Sequence, residues 1–179
     1  MPVGNPLPTR TEARTVWLTG LPSAGKTTLA RALVERLRSE GASAEVLDGD
    51  ELRAAIGPDL GFSRADREEN VRRIGVVADL LSRNGVTAVC SVISPYRAAR
   101  DEVRARHGDR FVEVWVSTPV EVCATRDVKG LYARHRRGEI ANLTGVDDPY
   151  EAPDRPDVVI PTHELTLEEG VEKLWQALR

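Results

Sequence analysis

Cysteine is scarce in this chain, neither sign of charge dominates, and no hydrophobic run is long; each shortage removes a class of function. The two cysteines, Cys90 and Cys123, stand far apart in apolar stretches. They have neither the spacing of a metal-ligand set nor the density of a disulfide-stapled secreted domain, so they read as buried structural thiols. A formal net charge of −3 with 30% charged residues offers nothing global to attract nucleic acid or an anionic membrane. Any anion site must be built locally. No run approaches the length of a membrane span, and the opening Met1–Arg14, with three prolines and no apolar core, lacks the form of a secretory signal. A cytoplasmic location and a disordered tail over residues 1–14 are the expectations that follow.

What is present is apolar material for one core. At 41% hydrophobic over 179 residues, a single domain over 15–179 is a better fit than two. Thr15–Thr19 is a short apolar run stopped by Gly20, after which Leu29, Leu33, Val34 and Leu37 recur at helical spacing until Gly41. Ala44–Leu47 resumes as a strand and runs straight into Asp48-Gly-Asp50, placing two carboxylates at a strand's C-terminal end. Ser63 with Asp66 predicts a capping box opening a long helix that turns Val71, Ile74, Val77, Ala78 and Leu81 inward and stops at Asn84-Gly85. Val86–Ile93 is a continuous apolar strand of the kind buried on both faces. Ser94-Pro95 and Thr118-Pro119 each read as an N-cap followed by proline at the first helical position, on either side of a strand over Phe111–Val116. Val158–Pro161 makes a last strand, and Thr166 with Glu169 caps a final helix that buries Leu167, Val171, Leu174 and Leu178. Between about 129 and 150 the apolar period weakens, and Lys129, Arg134, Arg136 and Arg137 are interleaved with glycines, which marks a mobile lid. Strands alternating with helices predict an α/β fold: a parallel sheet with helices on both faces and ligands at the strand C-termini.

One segment carries chemistry by itself. Gly20-Leu21-Pro22-Ser23-Ala24-Gly25-Lys26-Thr27 fits G-x-x-x-x-G-K-[ST] and lies between the first strand and the first helix, where that pattern must lie. Glycines let the backbone turn so that successive N–H groups face a phosphate, and the helix that follows adds its positive end. Lys26 is placed to meet the β and γ phosphates of ATP, the Thr27 hydroxyl to complete a Mg²⁺ shell, and Thr28 to continue the phosphate-binding run. This makes the fold one of the P-loop NTPase type. The loop alone says only nucleoside triphosphate. GTPases of this fold carry an Asn-Lys-x-Asp element after a later strand, and this chain has none, so a small ATP-dependent kinase is the expectation.

Six further blocks follow in order: Leu47-Asp-Gly-Asp50, Asp59-Leu-Gly-Phe-Ser63, Asp66-Arg67 with Asn70-Val-Arg-Arg-Ile74, Ile93-Ser-Pro-Tyr-Arg97, Arg126-Asp-Val-Lys-Gly-Leu-Tyr132 and Thr144-Gly-Val-Asp-Asp-Pro-Tyr-Glu151. Together they resemble the adenylyl-sulfate kinase family, over about Thr15 to Ile160. The resemblance implies transfer of the ATP γ-phosphate to the 3′-hydroxyl of adenosine 5′-phosphosulfate, giving 3′-phosphoadenosine 5′-phosphosulfate, with Mg²⁺ as the metal. It also implies a homodimer. Phosphoryl transfer needs alignment, charge neutralisation and a carboxylate to receive the hydroxyl proton. Asp50 suits that last role and could also hold Mg²⁺, with Asp48 in support.

The resemblance assigns the remaining site. Arg53 and Arg67 match positions whose guanidinium forks suit sulfate and phosphate oxygens. Asn70 shares a helix face with Arg67. Phe62, one of two phenylalanines, is suited to stack on the substrate adenine, a contact of about 1–3 kcal/mol. Ile93 and Ser94 lie at a strand end where such sites form; Ser94 reads as a helix cap, with a substrate contact left open and a phosphorylated serine intermediate unnecessary for in-line transfer. Lys129 and Leu131 match lid positions that close on substrate, and Arg126 matches one flanking the ATP base. Two departures stand out. Leu143 replaces an aromatic residue before the lid Thr-Gly, and Pro22-Ser23 replaces the usual Ser-Gly, removing one N–H donor. Arg134, Arg136 and Arg137 read as a solvated face, His107, His135 and His163 as surface residues, and Trp17, Trp115 and Trp175 as core. Two readings compete with this one: another small P-loop kinase acting on a nucleoside, sugar or antibiotic hydroxyl, and a non-catalytic nucleotide-sensing module.

Overall fold

The computed structural model describes residues 12–179, so most of the expected tail lies outside the described residues. Five strands, β1 (Thr15–Thr19), β2 (Ala44–Asp48), β3 (Thr87–Ser91), β4 (Phe111–Val116) and β5 (Val158–Ile160), form one parallel sheet in the order β2-β3-β1-β4-β5. Among the described residues, seven α-helices connect and cover them: α1 (Lys26–Ser39), α2 (Gly49–Ile56), α3 (Arg64–Arg83), α4 (Arg97–His107), α5 (Val120–Arg126), α6 (Leu131–Arg136) and α7 (Leu167–Ala177).

Alternating strand residues divide the core in two. Val16 and Leu18 face a cluster with Leu29, Leu33 and Leu37 of α1 and Val171 and Leu174 of α7. Trp17, Ala88 and Cys90 face the opposite cluster, with Val71, Ile74 and Ala78 of α3 and Val103 of α4. Strands β1 and β3 are neighbours, yet the helices that follow them, α1 and α4, pack on opposite faces of the sheet. That divergence opens a crevice at the strands' C-terminal ends, where ligands bind in folds of this type. Both predicted capping boxes form, at Ser63 with Asp66 and at Thr166 with Glu169. Among the described residues, no helix is long and apolar enough to cross a membrane.

Several local expectations are corrected. Ser94 does not cap α4. The helix begins at Arg97 after Tyr96, without a side-chain cap, because the Ser94 hydroxyl is drawn inward to accept from Trp17 Nε1 at 3.0 Å. Thr118 likewise turns inward, its hydroxyl 3.0 Å from the Ala24 carbonyl, and Pro119 rather than Thr118 precedes α5. Helix α2 was not foreseen, since it buries no residue; its one signal is Asp48, whose carboxylate accepts from the amides of Asp50 and Glu51. Leu167 is exposed rather than inward. His107 is buried, not on the surface, with Nδ1 2.7 Å from the Val103 carbonyl. Of the three tryptophans only Trp17 is fully enclosed; Trp115 and Trp175 are half-buried.

A buried ion pair ties α4 to β4 and to the loops at Ser94 and Glu151. Arg100, 1% exposed, donates to Glu113 Oε1 at 2.9 Å, to the Ser94 carbonyl at 2.6 Å and to the Glu151 carbonyl at 2.6 Å. Breaking such a pair leaves a desolvated charge unpaired, which costs more than the pair's own attraction contributes. Glu113→Ala is expected to lower the unfolding free energy by about 3 kcal/mol. Urea denaturation checks this: the midpoint should fall with an unchanged slope, and an unmoved midpoint would show that the pair holds nothing together.

Candidate active site

The turn from β1 into α1 forms because its residues accept unusual backbone angles. A side chain at Gly20 would put a Cβ 2.7 Å from the Val116 carbonyl oxygen, so only glycine lets the loop lie against β4. Gly25 takes φ +103°, and Ser23, where glycine is more usual in the family it resembles, takes φ +62°. The Ser23 hydroxyl offsets some of that strain by accepting from the Val128 amide at 3.2 Å. Pro22 lends only its carbonyl, to the Tyr132 hydroxyl at 3.0 Å.

Lys26 is 8% exposed and folds back over its own loop, donating to the carbonyls of Gly20 at 2.9 Å and Leu21 at 2.7 Å. Burial pushes its pKa down to about 7, because the charged ammonium has lost water and has gained no close anion. Beside it, the Thr27 hydroxyl donates to Asp48 Oδ2 at 3.0 Å and lies 2.8 Å from Ser91 Oγ. Mg²⁺ takes oxygen ligands, keeps several waters and uses one or two carboxylates with the substrate phosphates. A hydroxyl and a carboxylate already brought together beside the phosphate loop fit that habit. The structure joins Asp48 to Thr27, not Asp50 as expected. The chain leaves β2 at Asp48, so Asp50 sits in the first turn of α2, largely exposed and paired with Lys129.

A cavity of about 780 Å³ begins at this loop and extends to the far side of the crevice. It is lined at one end by Pro22 through Thr28 with Arg126, and at the other by Asp50, Arg53, Phe62, Arg67, Asn70, Ile93 and Ser94. Lys129 and Leu131 complete its rim. Phe62 is 70% exposed, with the Arg53 guanidinium 4.8 Å from its ring centre, so it is an aromatic face without a core to pack in. Asn70 Oδ1 is buried without a hydrogen-bond partner. The oxygen lies towards Gly57, and the side chain lines the cavity. Arg67 is occupied by protein: it donates to Thr144 Oγ1 and the Asn142 carbonyl, each at 2.7 Å, and pairs with Asp148 at 3.2 Å.

Three expected residues do not reach the cavity. Gly20 and Leu21 lie behind it, and Leu143 is buried in the core cluster with Leu21. Conversely, sequence reasoning missed Ser91 and Thr162. The Thr162 hydroxyl lies 2.7 Å from the Ala24 carbonyl and 2.8 Å from Arg126 Nη1, so the loop after β5 braces the phosphate loop. Neither residue stands in a spacing pattern that would single it out. Only strand order brings them here.

Comparison with known proteins fits this geometry. The family model for adenylylsulphate kinase matches residues 12–161. An adenylyl-sulfate kinase of Picosynechococcus sp. is 56% identical over 164 residues, covering 92% of each chain. Another, of Rippkaea orientalis, is also 56% identical, covering 92% of this chain and 90% of its own. Among solved structures, the Mycobacterium tuberculosis APS kinase CysC in complex with AMPPNP and APS superposes with a TM-score of 0.89 at 42% identity, covering 93% of this chain and 98% of that one. With its family model spanning most of the sequence and full-length relatives above half identity, the chain belongs to the adenylylsulphate kinase family.

Proposed function

We propose that this chain transfers the γ-phosphate of ATP to the ribose 3′-hydroxyl of adenosine 5′-phosphosulfate, releasing ADP and 3′-phosphoadenosine 5′-phosphosulfate. The observation that carries the reading is one continuous cavity in which a phosphate loop faces an exposed aromatic ring, Phe62, with the Asn70 side chain on the same wall. A nucleotide acceptor matches both features, since its base offers a face for stacking and polar edges for an amide side chain.

In this reading the amides of Ser23 through Thr28 and the Lys26 ammonium cradle the ATP phosphates, and Arg126 flanks its base. Thr27 and Asp48 hold Mg²⁺, which when bound supplies positive charge to the phosphate oxygens. Phe62, Asn70 and Ile93 seat the acceptor, Arg53 faces its anionic groups, and Arg67 acts indirectly by fixing residues 142–148. Asp50 receives the 3′-hydroxyl proton as that oxygen bonds to the γ-phosphorus and the bond to ADP breaks. Its pairing with Lys129 is exposed to solvent, and such pairs contribute about 0–1 kcal/mol, so an incoming acceptor can displace it readily. Lys129 and Leu131 at the cavity rim then close over the acceptor while residues 142–148 stay fixed, keeping water from competing for the γ-phosphate. Residues 15–179 act as one domain. The free thiols of Cys90 and Cys123, both buried, suit a cytoplasmic location.

Incubation with ATP, Mg²⁺ and a panel of alcohol acceptors should release ADP with adenosine 5′-phosphosulfate, the product being identified by mass. Turnover of a sugar or nucleoside instead would defeat the assignment, and no turnover of any acceptor would favour a sensing module. Asp50→Asn is expected to cut turnover at least about 100-fold while leaving ATP affinity within a few-fold, measured by steady-state kinetics and calorimetry.

Lys26 makes nucleotide binding pH-linked. Its pKa in the native, unliganded chain, about 7, lies below the ordinary lysine value, so between those two pH values the unfolded chain holds a proton that the native chain lacks. Stability without nucleotide therefore rises with pH across that window, and below it the cost of burying the charged Lys26 is constant. Phosphate oxygens beside Nζ restore the charge, so above about pH 7 ATP binding should take up a proton. Calorimetry at pH 8 in buffers of different ionisation enthalpy reads that uptake, and Lys26→Met should abolish it.

A further inference from the structure

Ser91 has no part in the reading above, yet the residue is 5% exposed and lines the cavity, and its hydroxyl lies 2.8 Å from Thr27 Oγ1. Strand pairing puts it there: Ser91 is the last residue of β3 and stands in register with Asp48, the last residue of β2. Gly49 lets the chain turn away from β2 across this point, since a Cβ there would lie 3.0 Å from the Ser91 carbonyl oxygen.

Counting protons assigns the directions. The single Thr27 hydroxyl proton is donated to Asp48 Oδ2, so at the contact with Ser91 the Thr27 oxygen accepts and Ser91 donates. The result is a short chain from the Ser91 hydroxyl through the Thr27 hydroxyl to the Asp48 carboxylate. Each bond polarises the next towards the carboxylate and raises the electron density on Thr27 Oγ1. Of that oxygen's two lone pairs, one is used by Ser91 and one remains. We propose that Ser91 is a positioning residue for the divalent cation that accompanies ATP, its hydroxyl fixing the rotor of Thr27 so that the remaining lone pair meets the cation. The proposal rests on the kinase reading of the same cavity. Groups that orient a metal's ligands typically contribute about 10–100-fold to metal affinity.

The test compares the full-length chain with Ser91→Ala and Ser91→Thr in calorimetric binding of a non-hydrolysable ATP analogue, with and without Mg²⁺. Without Mg²⁺ all three should bind alike. With Mg²⁺, Ser91→Ala should bind about 10-fold more weakly than the unaltered chain and Ser91→Thr within about twofold of it. The Mg²⁺ concentration for half-maximal turnover should rise about 10-fold in Ser91→Ala, with the rate at saturating Mg²⁺ reduced far less. An equal Mg²⁺ response in Ser91→Ala and the unaltered chain would overturn the proposal. So would weakening already present without Mg²⁺, or equal loss in Ser91→Thr, since either would make the role one of packing. If the unaltered chain bound the analogue independently of Mg²⁺, the cation site itself would fall, and Ser91's role with it. No turnover of adenosine 5′-phosphosulfate beside an intact Mg²⁺ response would instead refute the acceptor and leave Ser91 standing.

Discussion

A lysine ammonium buried without a counter-ion sets the terms for this molecule. Lys26 places two of its three ammonium N–H groups on the carbonyls of Gly20 and Leu21, which leaves one N–H and the charge unmatched. The protein therefore holds a desolvated amine, charged without nucleotide only below about pH 7, at the head of α1, where the helix's own positive end adds to the need for an anion. Phosphate relieves both at once. The backbone tolerates this arrangement because Gly20 lies against the Val116 carbonyl and Gly25 turns through a left-handed angle, positions at which a side chain would collide or strain.

The two ends of the cavity are mechanically joined through the same loop. Leu21 packs against Gly145, where a Cβ would come within 2.5 Å of its side chain, and Arg67 clasps the 142–148 turn from α3. Tyr132 and Val128 reach the loop at Pro22 and Ser23. Residues 128–148 are thus anchored to the loop between β1 and α1. Leu143 belongs to this anchorage. It lies in the core beneath the turn, so the aliphatic substitution there alters packing and not the cavity wall.

Serine and threonine hydroxyls carry much of the alignment. Ser94 might equally have capped a helix, but a buried indole N–H needs an acceptor, and Trp17 Nε1 takes the Ser94 oxygen. Thr118 and Thr162 converge on the Ala24 carbonyl from β4 and β5, and Ser91 reaches Thr27 from β3. Small hydroxyls suit these places because they satisfy buried polar groups without adding charge to a site whose charge must come from the ligand.

Local pattern alone determined the β1–loop–α1 unit and the capping boxes of α3 and α7, because each depends on residues a few positions apart. The blocks resembling adenylyl-sulfate kinase pointed to Phe62, Asn70 and Asp50, and all three line the cavity. Tertiary structure decided the rest. It assigned Asp48 rather than Asp50 to Thr27, turned Arg67 towards the 142–148 turn, withdrew Leu143 into the core and brought in Ser91 and Thr162. Those outcomes depend on which strands lie side by side and on what each buried polar atom can reach across 21 to 138 residues of intervening chain, a competition for partners that no short spacing records.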